Sequence, residues 1–200
     1  TDRDVRTVGE IAPVLVIPNV LDDAMVARLI ACWESEGHDD GMIRAGADQG
    51  GERQISHDFK RRLDHVIDDG QLDLDLTDAL YPRIGQEVAK VHHFEDWIFE
   101  RFRIGCYEAE NAGFFAPHRD NFNRDVQNRR FALTINLNCG EYEGGGLRFP
   151  EYGPEEFSPP TGGAIVFSCS MLHEVVPVTA GRRFTLLNFL VADVDRTVQA

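Results

Sequence analysis

The stretch GGAIVFSCSMLHEVVPVTAGRRFTLLNFLVA, residues 162–192, decides the fold class of this chain. Its first part, GAIVFSCS, is a short apolar run of the kind that forms buried strands. Its last part, RRFTLLNFLVA, is also rich in β-forming residues and follows a turn at Gly181. A polar break containing His173 separates the two. We therefore expect this end of the chain to form strands.

Three more β-rich runs precede this stretch: WIFERFRIGCYEAE (97–110), FALTINLN (131–138) and GLRFPEY (146–152). The turn signals NAG, EYEGGG and PPTGG lie between the strands. Many short strands with such turns predict a β-sandwich or barrel, with a double-stranded β-helix (jelly roll) as the leading choice.

The first half of the chain is predicted to be mostly helical. After a strand-like run, APVLVIPNV, either Asp22 or Asp23 can cap a helix through MVARLIACWES. The other predicted segments are a glycine-rich loop at 41–52, a helix near His57–Ile67 and a helix from about Thr77 to His93. The fold class is therefore α+β with a mainly β core, supported by N-terminal helices.

A length of 200 residues fits a single domain. We expect residues 1–95 to form a helical support region with an N-terminal strand. Residues 96–192 should then form the jelly-roll core and carry the functional site.

The composition limits the classes of partner. There are 34 acidic and 20 basic side chains, so the net charge is −14. Such a surface repels nucleic acid and favours a small or basic substrate. The basic cluster Lys60-Arg61-Arg62 is expected on a solvated helix face. No apolar run reaches the roughly 18 residues of a membrane span.

Cysteine usage and the N-terminus bear on the location of the chain. The four cysteines are scattered without a CxxC pair, which indicates a reducing compartment, and we expect the cytoplasm. The polar start TDRDVRTVGE is not a signal peptide. It lacks Met, which is compatible with an upstream domain in a longer chain.

The motif HRDN contains a candidate metal site. On extended chain, His118 and Asp120 project to the same side. His173 begins a short strand 55 residues after His118 and is the natural third ligand. Two histidines and one carboxylate form the facial triad suited to non-haem Fe(II) chemistry, although they also accept other divalent metals. The alternative is a hydrogen-bonded His–Asp pair and an unrelated histidine.

Arg183 lies ten residues after His173 and shares one strand face with Thr185, Leu187 and Phe189. Inside a barrel, an unpaired arginine is costly, so it requires an anion. A dicarboxylate cosubstrate would supply one. The neighbouring Arg182 is expected on the surface.

With these pieces in this order, residues 97–192 resemble the Fe(II)- and 2-oxoglutarate-dependent dioxygenases, specifically their prolyl 4-hydroxylase-like branch. The resemblance implies that His118, Asp120 and His173 are catalytic and bind iron. It also implies that Arg183 and Thr185 bind 2-oxoglutarate. Four further candidates come with it: Tyr107 and Asn136 for the cosubstrate, and Leu147 and Val175 as apolar pocket walls.

The resemblance implies a hydroxylase of an amino-acid side chain or small metabolite that releases succinate and CO₂. Its cofactors would be Fe(II), 2-oxoglutarate and O₂, with ascorbate as a candidate reductant. Asp120 favours hydroxylation, because related halogenases replace this carboxylate with a small residue. A small molecule or a peptide is the expected substrate, and Arg119, Asn121 and Arg148 are candidates for contact with it. The alternative function is a non-catalytic, cupin-like metal-binding or sensing module.

Overall fold

The computed structural model describes residues 11–44 and 53–193. The helices are α1 (Asp23–Glu36) and α2 (Gly70–His92), and a 3₁₀ turn spans Ala109–Asn111. The strands are β1 (Leu15–Ile17), β2 (Asp39–Asp40), β3 (Ile43–Arg44), β4 (Arg53–Gln54), β5 (Lys60–Arg61), β6 (Leu63–Val66), β7 (Trp97–Phe99), β8 (Arg103–Glu108), β9 (Phe114–His118), β10 (Arg129–Asn136), β11 (Tyr142–Gly144), β12 (Leu147–Arg148), β13 (Glu156–Phe157), β14 (Ala164–Ser168), β15 (His173–Val175) and β16 (Val178–Ala192).

These strands form two main antiparallel sheets. The larger sheet has the order β1-β14-β10-β16-β8-β6-β2, and β7 and β11 also pair with β16. The smaller sheet has the order β13-β12-β15-β9-β5. Apolar side chains from both sheets, such as Tyr107, Ile165 and Val175, meet in one cluster between them. The jelly-roll prediction is confirmed.

Both helices pack on the outer face of the larger sheet. In α2, buried residues recur every four positions: Leu72, Leu76, Leu80, Ile84 and Val88. This stripe packs in one cluster with sheet residues. Each buried side chain of this size contributes roughly 1.5–3 kcal/mol. The helices therefore hold the larger sheet in place and leave its other face free to line a cavity.

The strand β16 shows how alternation separates the two faces. Phe184 and Leu186 belong to the cluster under the helices. Arg183, Thr185 and Leu187 point to the other side and line a cavity between the sheets. Because side chains alternate along a strand, one segment supplies both the core and the cavity.

The predicted helix near His57–Ile67 is wrong. This segment contains β5, which pairs with β9, and β6, which pairs with β8. The pattern of alternating Lys60, Arg62 and Asp64 has the period of a strand, and distant strands complete its hydrogen bonds. The sheets therefore include strands from the first 95 residues as well.

The other N-terminal elements differ in extent from the prediction. The Asp22 side chain accepts a hydrogen bond from the Met25 amide at 2.8 Å and caps α1. Asp69 caps α2, so this helix begins at Gly70 and not near Thr77. Part of the predicted loop pairs as β3 with β4, and residues 45–52 lie outside the described residues. Neither helix in the described part of the chain is long and apolar enough to cross a membrane.

Candidate active site

Two neighbouring strands of the smaller sheet bring the three predicted ligands together. His118 ends β9 and His173 begins β15, and the two are direct partners in the register of this pair. Asp120 follows β9, and its amide donates to the Cys169 carbonyl at 2.9 Å. One donor atom from each of the three side chains lies within 4.8 Å of the other two.

The imidazole rings are oriented by backbone carbonyls. Nδ1 of His118 lies 2.8 Å from the Ala116 carbonyl, and Nδ1 of His173 lies 3.0 Å from the Met171 carbonyl. A carbonyl can only accept, so each Nδ1 donates and each Nε2 keeps its lone pair. The Nε2 atoms face the Asp120 oxygens at 3.5 and 3.3 Å. This is the ligand geometry expected around one divalent metal.

The electrostatics keep Asp120 and His173 in their metal-binding protonation states. Burial would raise the pKa of Asp120, but His173 and His118 outweigh it and lower the pKa to about 2. Burial lowers the pKa of His173 to about 4, against the opposing effect of Asp120. At neutral pH the carboxylate is therefore ionised and the His173 imidazole neutral. Metal binding then requires no proton release from either group.

The triad opens into a cavity of about 1230 Å³ between the two sheets. Leu147 and Val175, predicted as pocket walls, both line it. Phe115 stacks on the His118 ring with centroids 3.6 Å apart, and Phe167 lies edge-on to His173 at 4.6 Å. These two rings cover one side of each histidine and shield it from solvent.

Arg183 lies in the same cavity and is 2% exposed. Its Nη2 donates to the Asn136 side-chain oxygen at 3.0 Å, and its guanidinium lies 5.5 Å from the Tyr107 ring centroid. Within residues 11–44 and 53–193, no carboxylate forms an ion pair with it. A buried guanidinium in this state is complementary to a carboxylate ligand.

The chain matches the model of the 2OG-Fe(II) oxygenase superfamily over residues 102–191. A PKHD-type hydroxylase from Acinetobacter baumannii is 29% identical over 181 residues, which cover 84% of this chain and 73% of that protein. A PKHD-type hydroxylase from Stutzerimonas stutzeri is 25% identical and covers 92% and 82%, respectively. These matches bear out the predicted resemblance of this chain to the 2OG-Fe(II) oxygenase superfamily. The prediction of an oxygenase is confirmed over that of a non-catalytic module.

Solved structures support the fold of the oxygenase. A prolyl-4-hydroxylase from Pseudomonas putida aligns with a TM-score of 0.68 and 21% identity, covering 91% of this chain and 94% of that one. A prolyl hydroxylase from Trichoplax adhaerens, solved with a hypoxia inducible factor peptide, aligns with a TM-score of 0.66 and 17% identity. That match covers 94% of this chain and 87% of the Trichoplax chain. These two likenesses bear out the predicted fold.

The other predicted cosubstrate residues of the oxygenase have different positions. Thr185 and Tyr107 line the cavity beside Arg183. Asn136 does not line it, and its amide nitrogen donates to the Pro159 carbonyl at 2.8 Å. Asn136 therefore positions Arg183 from behind.

The three predicted substrate residues are not brought together. Arg119 lines the cavity, but its guanidinium donates to Glu151 at 2.6 Å and to the Ser170 carbonyl. Asn121 donates to the Ser170 hydroxyl at 2.7 Å. Arg148 is the cross-strand neighbour of Glu174 and pairs with it at 2.8 Å. Because Leu147 faces the cavity, Arg148 faces away from it, so its position gives no support to a substrate role.

The sequence reasoning missed a set of charged side chains in the oxygenase cavity. Lys60 is only 3% exposed, whereas its cluster was expected on a solvated helix. Arg62, Asp64 and Arg103 also line the cavity. The period-two charge pattern of KRRLD was the available signal, since a strand would bring Lys60, Arg62 and Asp64 to one side.

Proposed function

We propose that this oxygenase binds Fe(II) through His118, Asp120 and His173 and hydroxylates an amino-acid side chain or a small metabolite. The observation that carries the proposal is the convergence of two Nε2 atoms and one carboxylate within 4.8 Å at the wall of a large cavity. Neutral imidazole and ionised carboxylate are donors that Fe(II) accepts, and three protein ligands leave the other coordination positions open. The residues present therefore fit the metal.

Arg183 fits 2-oxoglutarate in the same cavity. Its guanidinium is buried and held by Asn136, so it is fixed before any ligand arrives. We assign it to the distal carboxylate of the cosubstrate, with Thr185 and Tyr107 beside it. A fixed guanidinium loses little entropy on binding, and its positive charge favours a carboxylate over a neutral group.

These positions separate the role of the bound cofactors from the role of the protein side chains. Bound iron, 2-oxoglutarate and O₂ supply the oxidation of a C–H bond, with succinate and CO₂ released from the cosubstrate. The chain orients the two histidines through the Ala116 and Met171 carbonyls and keeps Asp120 ionised. Phe115 and Phe167 limit the access of water to the ligands.

Hydroxylation is the reaction we infer within this family. The similar curated proteins are named PKHD-type hydroxylases, and two similar structures are prolyl hydroxylases. Asp120 completes the triad, which leaves no position for a halide in place of the carboxylate. We also propose ascorbate as the reductant, which the family resemblance implies, and the cytoplasm as the location, which the cysteine usage indicates.

The proposal is tested by a substrate screen. Purified protein with Fe(II), ascorbate and 2-oxoglutarate is incubated with amino acids, peptides and small metabolites, and succinate is measured. The product should gain one oxygen by mass spectrometry. The variant His118→Ala should release no succinate above background, whereas Arg182→Gln, which changes an exposed arginine, should behave as the wild type. Full turnover by His118→Ala would show that the ligands are assigned wrongly.

A further inference from the structure

The cavity wall formed by β5, β6 and β8 is strongly basic. It consists of Lys60, Arg62 and Arg103 with one carboxylate, Asp64, and is called the basic wall below. Lys60 is 3% exposed, and the side chains of Arg62 and Asp64 are 7% and 11% exposed. Two guanidinium groups and one lysine side chain thus face a single carboxylate in this wall, in a protein whose net charge is −14.

Asp64 binds two of these three basic side chains. Its Oδ1 accepts from Arg62 Nε at 2.5 Å, and its Oδ2 accepts from Arg62 Nη2 at 3.0 Å. Lys60 Nζ also donates to Oδ2 at 3.0 Å and to the Met42 carbonyl at 3.4 Å. Arg62 and Asp64 thus form a bidentate pair, and none of these hydrogen bonds to Asp64 comes from Arg103.

Arg103 is the cation without a partner. Among the described residues, its Nε is a buried nitrogen with no hydrogen bond, and none of their ion pairs includes its guanidinium. The nearby Glu100 is already bound by Arg129 at 2.7 and 2.6 Å. Arg103 itself is partly exposed, and the carboxylates that interact with its charge, Asp64 and Glu100, are each bound by another arginine. A guanidinium whose Nε is buried without a hydrogen bond is complementary to an added anion.

The cosubstrate does not account for this charge. In the proposed function, the distal carboxylate of 2-oxoglutarate binds Arg183. Tyr107 lies between Arg183 and the basic wall, with its ring 5.5 Å from the Arg183 guanidinium and 5.7 Å from that of Arg62. Arg103 is further along β8, beside Leu187 and Val66. The basic wall therefore retains positive charge after the cosubstrate is bound.

The basic wall is also close to the candidate metal ligands. Phe115 lies between them: Lys60 Nζ is 5.2 Å and the Arg62 guanidinium 5.8 Å from its ring centroid. The same ring stacks on His118, with the ring centroids 3.6 Å apart. A small molecule whose anionic group reaches the basic wall can therefore place a C–H bond near the metal position.

We propose that the substrate of this oxygenase carries a carboxylate, and that Arg103 binds it with Lys60 and Arg62 alongside. This inference rests on the proposed function, because it names the class of substrate that enters the same cavity. It also refines the expectation from net charge, which favoured a small or basic substrate. The interior, unlike the acidic surface, is complementary to an anion.

The test uses matched acids and amides. Protein loaded anaerobically with Fe(II) and 2-oxoglutarate is titrated with N-acetyl-L-amino acids and free L-amino acids, each alongside its primary carboxamide. Binding is followed by calorimetry and by the visible absorption of the loaded site. Acids that bind the wild type should do so about tenfold or more tightly than their amides. In Arg103→Gln this preference should disappear, and in Arg103→Lys it should be largely kept.

The controls separate this inference from the proposed function. Arg28→Gln removes the same charge from an exposed position on α1 and should leave the acid preference unchanged. Melting temperatures identify any variant that fails to fold. If Arg103→Gln does not fold, the acid preference is compared between the wild type and Arg103→Lys. Equal binding of acids and amides across the panel would overturn the inference. So would a loss of 2-oxoglutarate affinity in Arg103→Gln. Failure of the wild type to bind Fe(II) and 2-oxoglutarate together would instead refute the proposed function.

Discussion

Replacing Arg183 by methionine should weaken 2-oxoglutarate binding and spare the metal site. The guanidinium is 2% exposed and is held by Asn136 at 3.0 Å, so the carboxylate that pairs with it is fully desolvated. Removing one partner of a buried, hydrogen-bonded charge pair costs about 2–5 kcal/mol. At about 1.4 kcal/mol per tenfold change, the dissociation constant should rise by a factor between about 30 and several thousand.

The assay compares two ligands in two variants. Dissociation constants are measured anaerobically for 2-oxoglutarate and for 2-oxopentanoate, which lacks the distal carboxylate. The wild type should strongly prefer 2-oxoglutarate, and Arg183→Met should bind both ligands about equally. The matched control is Arg182→Met on the same strand. The Arg182 side chain is 49% exposed and pairs with Glu34 at 3.0 Å, so its removal should change neither constant.

Two results would refute this reasoning. Arg183→Met could keep its preference for 2-oxoglutarate, in which case another cation binds the distal carboxylate. It could also lose affinity for 2-oxopentanoate to the same degree, which would mean that Arg183 supports the cavity and does not recognise charge. The melting temperature of the variant, read beside both titrations, identifies a general loss of folding.

Three further changes test the cavity wall and the core. Burial, with Arg62 nearby, lowers the pKa of Lys60 from 10.5 to about 7 despite Asp64. The unfolded chain therefore binds this proton more tightly, and the free energy of unfolding should rise between pH 7 and 10 by at most about 5 kcal/mol. Urea denaturation should show a much smaller rise for Lys60→Met. A Cβ at Gly105 would lie 2.9 Å from Arg62 Cδ, so Gly105→Ala should lower the free energy of unfolding by about 1–3 kcal/mol, and an unchanged value would mean that Arg62 moves freely. Leu80 is 0% exposed in α2, so Leu80→Ala should cost about 2–5 kcal/mol in the same assay, and a loss below 1 kcal/mol would contradict the packing.

The positions of the three candidate metal ligands could be predicted from the sequence because local rules determine them. His118 and Asp120 are two residues apart at a strand end, and His173 begins the strand that pairs with it. The position of Arg183 in the cavity could also be predicted, because side chains along β16 alternate between the core under the helices and the cavity. Strand periodicity is visible in the sequence. The expected turn at Gly181 is wrong, because this residue lies within β16 and pairs with Tyr142.

The basic wall could not be predicted in the same way. Its cations belong to strands whose partners are distant in sequence, such as β6 with β8. Clustered charges normally indicate exposure, and only the three-dimensional pairing shows that Lys60 and Arg62 are buried around Asp64. Strand pairing also determines that Asn136 contacts Arg183 and does not line the cavity, and that Arg148 pairs with Glu174 on the outer face.

The central claim is that His118, Asp120 and His173 hold Fe(II) beside 2-oxoglutarate. It is tested most directly by an anaerobic titration followed by visible absorption. Wild-type protein should show a weak charge-transfer band only when Fe(II) and 2-oxoglutarate are both present. Asp120→Ala and His173→Ala should lose the band at the same concentrations, while Arg182→Gln keeps it. A band of full strength in either ligand variant, or none in the wild type, would contradict the account.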